Sequence, residues 1–171
     1  MKSIFIAIFL VLCSTVLASA QNNWDHYLPR TLDEITATII TPALKDPDVV
    51  LKGPKGDTVL ILSYNSYPSN VETIYTGEVR KISNERRKVV EFWLTTVGKP
   101  KELLDIFAHE YYFTENNKGY WFPVQKQVAE YFEKELKKGD KVSVLLAWIG
   151  GRYEGEKFDS IFLMNEFEKL D

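Results

Sequence analysis

Hydrophobic residues change period along this chain, and each change predicts an element. Ile4 to Leu12 is one unbroken apolar run, preceded by Met1-Lys2-Ser3 and followed by the small residues Ala18-Ser19-Ala20 just before Gln21. A positive start, a short apolar stretch and a small-residue cleavage site are the three parts of a secretory signal peptide. The run is shorter than the roughly 20 apolar residues that span a bilayer. The expectation is an exported, periplasmic or secreted chain that begins near Gln21, with residues 1–20 removed.

Beyond the leader the pattern is mixed. Thr31-Leu32-Asp33-Glu34 has the form of a capping box, and Leu32, Ile35 and Ile39 follow at helical spacing, which predicts a short helix over about 32–40. The β-branched run Thr36–Thr41 fits a strand equally well, and Pro42 limits either. Lys52–Asp57 reads as a turn, Thr58–Tyr64 as a strand and Asn65–Asn70 as a loop. Thr73–Ser83 places Tyr75, Gly77 and Val79 on one strand face, with Gly77 at a bulge or sharp bend. In Lys88–Thr96, Val90, Phe92 and Leu94 alternate with Glu91 and Trp93, so these two segments predict an antiparallel hairpin turning at Asn84–Arg87.

Leu103–Phe113 is apolar and aromatic, Asn116–Gly119 is a turn, and Tyr120-Trp121-Phe122 is a short strand. Pro123 is expected to open the clearest helix, over about 123–138. There Val124, Val128, Phe132 and Leu136 form one apolar stripe, and Gly139 is the stop. Lys141–Ile149 follows as a nearly continuous apolar strand with Val142, Val144, Leu146 and Trp148 on one face. Gly150–Gly155 reads as a loop and Asp159–Phe167 as the last strand.

These elements predict an α+β fold: a small antiparallel β-barrel or curved sheet with one amphipathic helix and a short N-terminal helix. From residue 73 the order is strand, strand, strand or hairpin, helix, strand, strand. In this order the chain resembles the oligonucleotide/oligosaccharide-binding (OB) barrel, whose helix lies between its third and fourth strands. The resemblance is one of pattern over about 95 residues and carries no family signature, so it implies a fold without a function. The expected organisation is a leader over 1–20, an N-terminal segment of helix plus strand over 21–70 that packs on the main domain, and the OB-like barrel over 71–171.

Composition narrows the chemistry. The single cysteine is Cys13 in the leader, so residues 21–171 have no disulfide, no cysteine nucleophile and no thiolate metal site. Leu12 stands where a bacterial lipid-attachment site has a small residue. The net charge is −3, which disfavours nucleic acid and anionic membrane as partners; a protein or an oligosaccharide is expected instead, and a homodimer is an alternative. No second stretch is long enough to span a membrane.

The only histidines are His26 and His109. Ala108-His109-Glu110-Tyr111-Tyr112 lacks the second histidine of HExxH, and no phosphate-cradling glycine motif or nucleophile elbow occurs, so no metal, cofactor or catalytic residue is assigned. The enzymatic alternative is a small hydrolase or lyase using His109 with Glu110 as acid and base. The stronger signal is aromatic. Tyr111, Tyr112, Phe113, Tyr120, Trp121 and Phe122 crowd two strands, and alternation sends adjacent residues to opposite faces, so they cannot all be core. Arg80, Lys81, Arg86, Arg87 and Lys88 form a compact basic cluster. The expected function is a non-catalytic binding or interaction module of the cell envelope. Its ligand surface is Tyr112, Tyr120 and Trp121, flanked by Arg86 and Arg87.

Overall fold

The computed structural model describes residues 26–45, 50–52, 59–63, 67–154 and 156–171. The predicted leader, the turn at 53–57 and residues 65 and 66 of the loop at 65–70 lie outside the described residues, and Ser69 and Asn70 of that loop belong to a strand. A short strand β1, Leu28–Pro29, precedes a helical run α1 built of three pieces, Leu32–Ile35, a π-helical stretch Thr36–Ile40 and a last turn Thr41–Ala43. The capping box forms as its sequence requires: the Thr31 hydroxyl accepts from the Glu34 amide at 3.1 Å and the Glu34 carboxylate accepts from the Thr31 amide at 3.1 Å. The β-branched run is therefore helical, and the wider π turn accommodates it. Next come β2, Val50–Lys52, β3, Val59–Leu62, and the long strand β4, Ser69–Lys81.

The predicted strand over 88–96 is a helix, α2, Asn84–Thr96. Ser83 caps it by accepting from the Arg86 amide at 3.2 Å, and Glu85 complements the dipole in its first turn. Arg86, Val89, Val90 and Leu94 form its buried face, whereas Phe92, central to the strand reading, is 40% exposed. A 3₁₀ helix, Lys101–Phe107, then leads into β5, His109–Glu115, and β6, Lys118–Val124. The two-residue turn between them uses Asn116 and Asn117 at φ 50° and 63°, the left-handed pair of a type I′ hairpin.

The next helix is shorter than the sequence pattern predicts. It is α3, Lys126–Glu135, and Pro123 belongs to β6, opposite Glu110. In a two-residue hairpin the pair closing the loop, here Glu115 and Lys118, exchanges hydrogen bonds, and bonding alternates from there. Pro123 falls at a non-bonded position, so its missing N–H interrupts no bond to β5. The last two strands, β7, Lys141–Glu154, and β8, Lys157–Lys169, form a long antiparallel pair. Gly150 and Gly151, read from sequence as a loop, lie inside β7. A register shift between Trp148 and Gly150, with Gly150 at φ 125°, bends the strand without ending it.

The sheet order is β1-β4-β5-β6-β8-β7-β3-β2, and β4 also pairs with β7. That extra pairing closes a ring of five strands, β4-β5-β6-β8-β7, in a mixed α+β molecule. β4 makes closure possible by serving two neighbours. Its first half pairs with β7, from Ser69–Leu146 to Ile74–Lys141, and its second half continues along β5. The bend between the halves is at Gly77, φ 79°, where the register shifts between Tyr75 and Val79, as the sequence predicts.

Two cores follow from the ring. The inner one collects Val71, Tyr75, Phe113, Phe122, Trp148 and Phe162, together with Val128 and Phe132 of α3 and Leu32 and Ile35 of α1. Phe132 meets the rings of Tyr111, Phe113 and Tyr75 near the start of β5, whereas α1 docks at the hairpin's turn end through Glu115. The outer core lies between α2 and the far face of β7 and β8, where Val89, Val90 and Leu94 pack with Ile149, Ile161 and Leu163. Burying both faces of β7 explains why its residues from Val142 to Ile149 are apolar or small almost without a break.

Candidate functional site

The ring has one weak seam. β6 and β8 are parallel neighbours that share the single register pair Val124–Met164. Residues 118–122 and 157–162 diverge from there, and the space between them is a cleft of about 1010 Å³ that continues under α1. The non-bonded positions of the β5–β6 hairpin, Gly119, Trp121 and Pro123, direct their backbone groups away from β5 and toward this seam.

Arg86 bridges the gap. It is 6% exposed and reaches from α2 to three strands: Nε donates to Glu110 of β5 at 2.5 Å, Nη2 to the Trp121 carbonyl of β6 at 2.9 Å, and Nη1 to Asp159 of β8. A planar guanidinium with several fixed donors thus replaces ladder bonds that the diverging strands lack. Glu110, 0% exposed, is held on its other oxygen by Arg80 at 2.8 Å. Arg80 also lies over the Trp121 ring at 4.1 Å, and Trp121 meets Tyr112 at 4.8 Å. A Cβ at Gly119 would overlap the Tyr112 ring, so glycine leaves the space in which that ring lies.

The residues singled out from sequence therefore divide. Tyr112 and Trp121 come together on the outer face of the hairpin. Tyr120 lies on the opposite face, packed partly into the inner core and stacked beside Phe122, yet it lines the cleft. Its hydroxyl is pushed up to about 12 by burial, with the charges of Asp33 and Glu115 adding to the shift. Arg86 is in the cleft wall with its donors committed to protein acceptors. Arg87 points elsewhere, to Asp105 at 2.6 Å. His109 and Glu110 do not form a pair: Glu110 is sealed between two arginines, and His109 is exposed beside a separate hollow of about 670 Å³ with Tyr111, Glu130 and Glu133.

The sequence reading missed what gives the cleft its charge. Arg80, Lys81, Arg86, Lys118, Arg152 and Lys157 line it, against the two carboxylates Glu85 and Asp159. Lys118 pairs with Asp33 at 2.7 Å, whereas Lys81, Arg152 and Lys157 have no acidic partner among the described residues. The Arg152 Nε is buried without a hydrogen-bond partner among the described residues. Lys81 was legible as part of the basic cluster. Arg152 and Lys157 were hidden, because the cleft joins segments far apart in the chain. Among the described residues no cluster of His, Asp and Glu is arranged to hold a metal ion, and no helix is long and apolar enough to cross a membrane. Compared with known proteins, the chain matches no family model, no curated protein and no solved structure.

Proposed function

We propose that this chain is an exported, non-catalytic binding module that holds an anionic ligand in the cleft between β6 and β8. The observation that carries this reading is that six cations line one cleft of a chain whose overall charge is −3, and three of them, Lys81, Arg152 and Lys157, have no acidic partner among the described residues. Charge gathered against the sign of the whole molecule, on low-dielectric walls, focuses the field on one place. The buried Nε of Arg152, without a partner among the described residues, supports the same reading, since such a donor is costly unless an acceptor reaches it.

The ring order supports an OB-like barrel. β4, β5, β6, β8 and β7 take the places of that fold's strands, with α3 between the third and fourth. OB barrels bind on the face of their second and third strands, beside the loops from first to second strand and from fourth to fifth. Here the corresponding surroundings are β5–β6, the start of α2 and the β7–β8 end, and these frame the cleft.

Thermal unfolding of residues 21–171 tests the reading against triphosphate, tetragalacturonate, oligothymidylate and neutral maltotetraose. A ligand at 100 times its dissociation constant adds about 2.7 kcal/mol, several degrees for a chain of this size. The expected result is a rise with at least one anion and none with the neutral sugar, lost in the double variant Arg152→Gln/Lys157→Gln. No rise with any anion would overturn the proposal.

A further inference from the structure

We infer that the ligand of this cleft is an acidic oligosaccharide, a chain of sugar rings carrying carboxylate or sulfate groups; the assignment rests on the binding role proposed above. Three properties of the cleft choose among anions. The first is how its charge is distributed. Arg80, Arg86 and Lys118 are held by Glu110, Asp159 and Asp33, which leaves Lys81, Arg152 and Lys157 as the cations without an acidic partner among the described residues. All three line one cleft, and the chain as a whole is acidic. Three cations without an acidic partner suit a short ligand with a few acidic groups. A nucleic acid, with a phosphate at every step, is favoured by a continuous positive groove.

The second property is the cleft's capacity for hydroxyl groups. Thr41, Tyr120 and Ser160 line it, and the Gly119 backbone groups and the Trp121 amide are directed into the seam, where the Trp121 carbonyl is already held by Arg86. Short hydroxyls and strand backbone both donate and accept, as sugar hydroxyls require. The third is the state of the aromatic rings. Trp121 is covered by Arg80 at 4.1 Å and flanked by Tyr112 at 4.8 Å, so it offers no open platform for successive bases. Tyr120 and Phe158 are half-buried and present a limited apolar surface, suited to the C–H face of a sugar. A volume of about 1010 Å³ lies at the upper end of ligand sites, which admits several linked rings.

Isothermal titration of residues 21–171 with tetragalacturonate, sulfated maltotetraose, neutral maltotetraose, oligothymidylate and triphosphate tests the assignment. The expected outcome is binding of at least one acidic sugar, more tightly than either neutral maltotetraose or oligothymidylate. In Arg152→Gln/Lys157→Gln, checked for an unchanged circular dichroism spectrum, that binding should weaken on the order of tenfold or more. Lys157→Gln alone, an exposed position, serves if the double variant does not fold. Equal binding of neutral maltotetraose, or tighter binding of oligothymidylate, overturns the inference and leaves a binding cleft in place. Binding of triphosphate with neither acidic sugar also overturns the inference while sparing the anion-binding role. Binding of no probe overturns both.

Discussion

Arg86 is the residue on which the seam depends. Its guanidinium is nearly sealed from water and is shared among Glu110, Asp159 and the Trp121 carbonyl. Removing one partner of such a group leaves the other charge buried and uncompensated, typically at about 3 to 5 kcal/mol. Arg86→Met should lower the unfolding free energy obtained from urea titration by an amount of that order, out of a total stability of about 5 to 15 kcal/mol for an ordinary domain. Arg86→Lys should recover little, because an ammonium on a flexible stem does not span acceptors on three strands. The companion change Glu110→Gln removes the stranded carboxylate, so Arg86→Met/Glu110→Gln should be less damaged than the sum of its single variants. Strict additivity in urea titrations would mean that the two side chains are energetically independent and that the bridge contributes nothing as a unit. The same residue shows why the site was only half legible. In sequence Arg86 belongs to a basic cluster and reads as a surface cation; its acceptors come from positions 110, 121 and 159, which no local pattern connects to it. Strand alternation required only that Tyr111 and Tyr112, and Tyr120 and Trp121, face opposite ways; it did not say which residue faces outward, and Tyr120, grouped with Trp121 in the sequence reading, lies on the other face.

Among the elements, α1 is tied to the ring by a carboxylate under stress. Glu115, at the end of β5, accepts from the first amide of α1, Leu32 N, at 3.0 and 3.1 Å, while Leu32 and Ile35 enter the inner core. Burial raises its pKa above 4.5; the Leu32 amide opposes that shift, and Asp33 adds to it. A raised carboxylate means that the folded chain holds a proton the unfolded chain has released. Its contribution is then fully present below the ordinary carboxylate range and is lost as pH rises through the raised value. Asp140, lowered by its bonds to Lys169 and to the Lys137 amide, acts in the opposite sense and loses its contribution as pH falls through its depressed value, below 3.8. Between about pH 4.5 and neutrality, Glu115→Gln should therefore stabilise relative to the parent as pH increases, measured as the difference in thermal midpoint. A difference that stays constant over this window would show that the Glu115 charge is not strained. The elements also show how far pattern carries. The capping box predicted α1, because both partners are local. α2 was misread because Val90, Phe92 and Leu94 alternate while Arg86, Val89, Val90, Trp93 and Leu94 repeat at helical spacing. What decides between them is Ile149, Ile161 and Leu163, the distant surface that the helical face covers. Pro123 was ambiguous for a similar reason: a proline suits a first helical turn and a non-bonded strand position equally well.

At the scale of the whole molecule, the ring is unevenly closed, and that unevenness is measurable without any ligand. β7 is paired along its length, with β4 and β8 on either side from Val142 to Leu146, whereas β6 has β5 on one side and the seam on the other. Alternation then divides the amides of a single strand. Tyr120 and Phe122 face Phe113 and Tyr111 at bonded positions, and Gly119 and Trp121 lie at non-bonded positions directed toward the cleft. Hydrogen exchange followed by NMR should show the Gly119 and Trp121 amides exchanging much faster than those of Tyr120 and Phe122, with the Val142–Leu146 amides slowest. If all four β6 amides exchange together, the hairpin opens as one unit and the seam is no weaker than the rest of the ring. A ligand lodged between β6 and β8 should slow Gly119 and Trp121 selectively, because it supplies the partner that β8 does not. Uniform slowing across the chain would instead signal global stabilisation by a ligand bound elsewhere. The alternation within one strand therefore separates a cleft that is merely open from a cleft that is occupied.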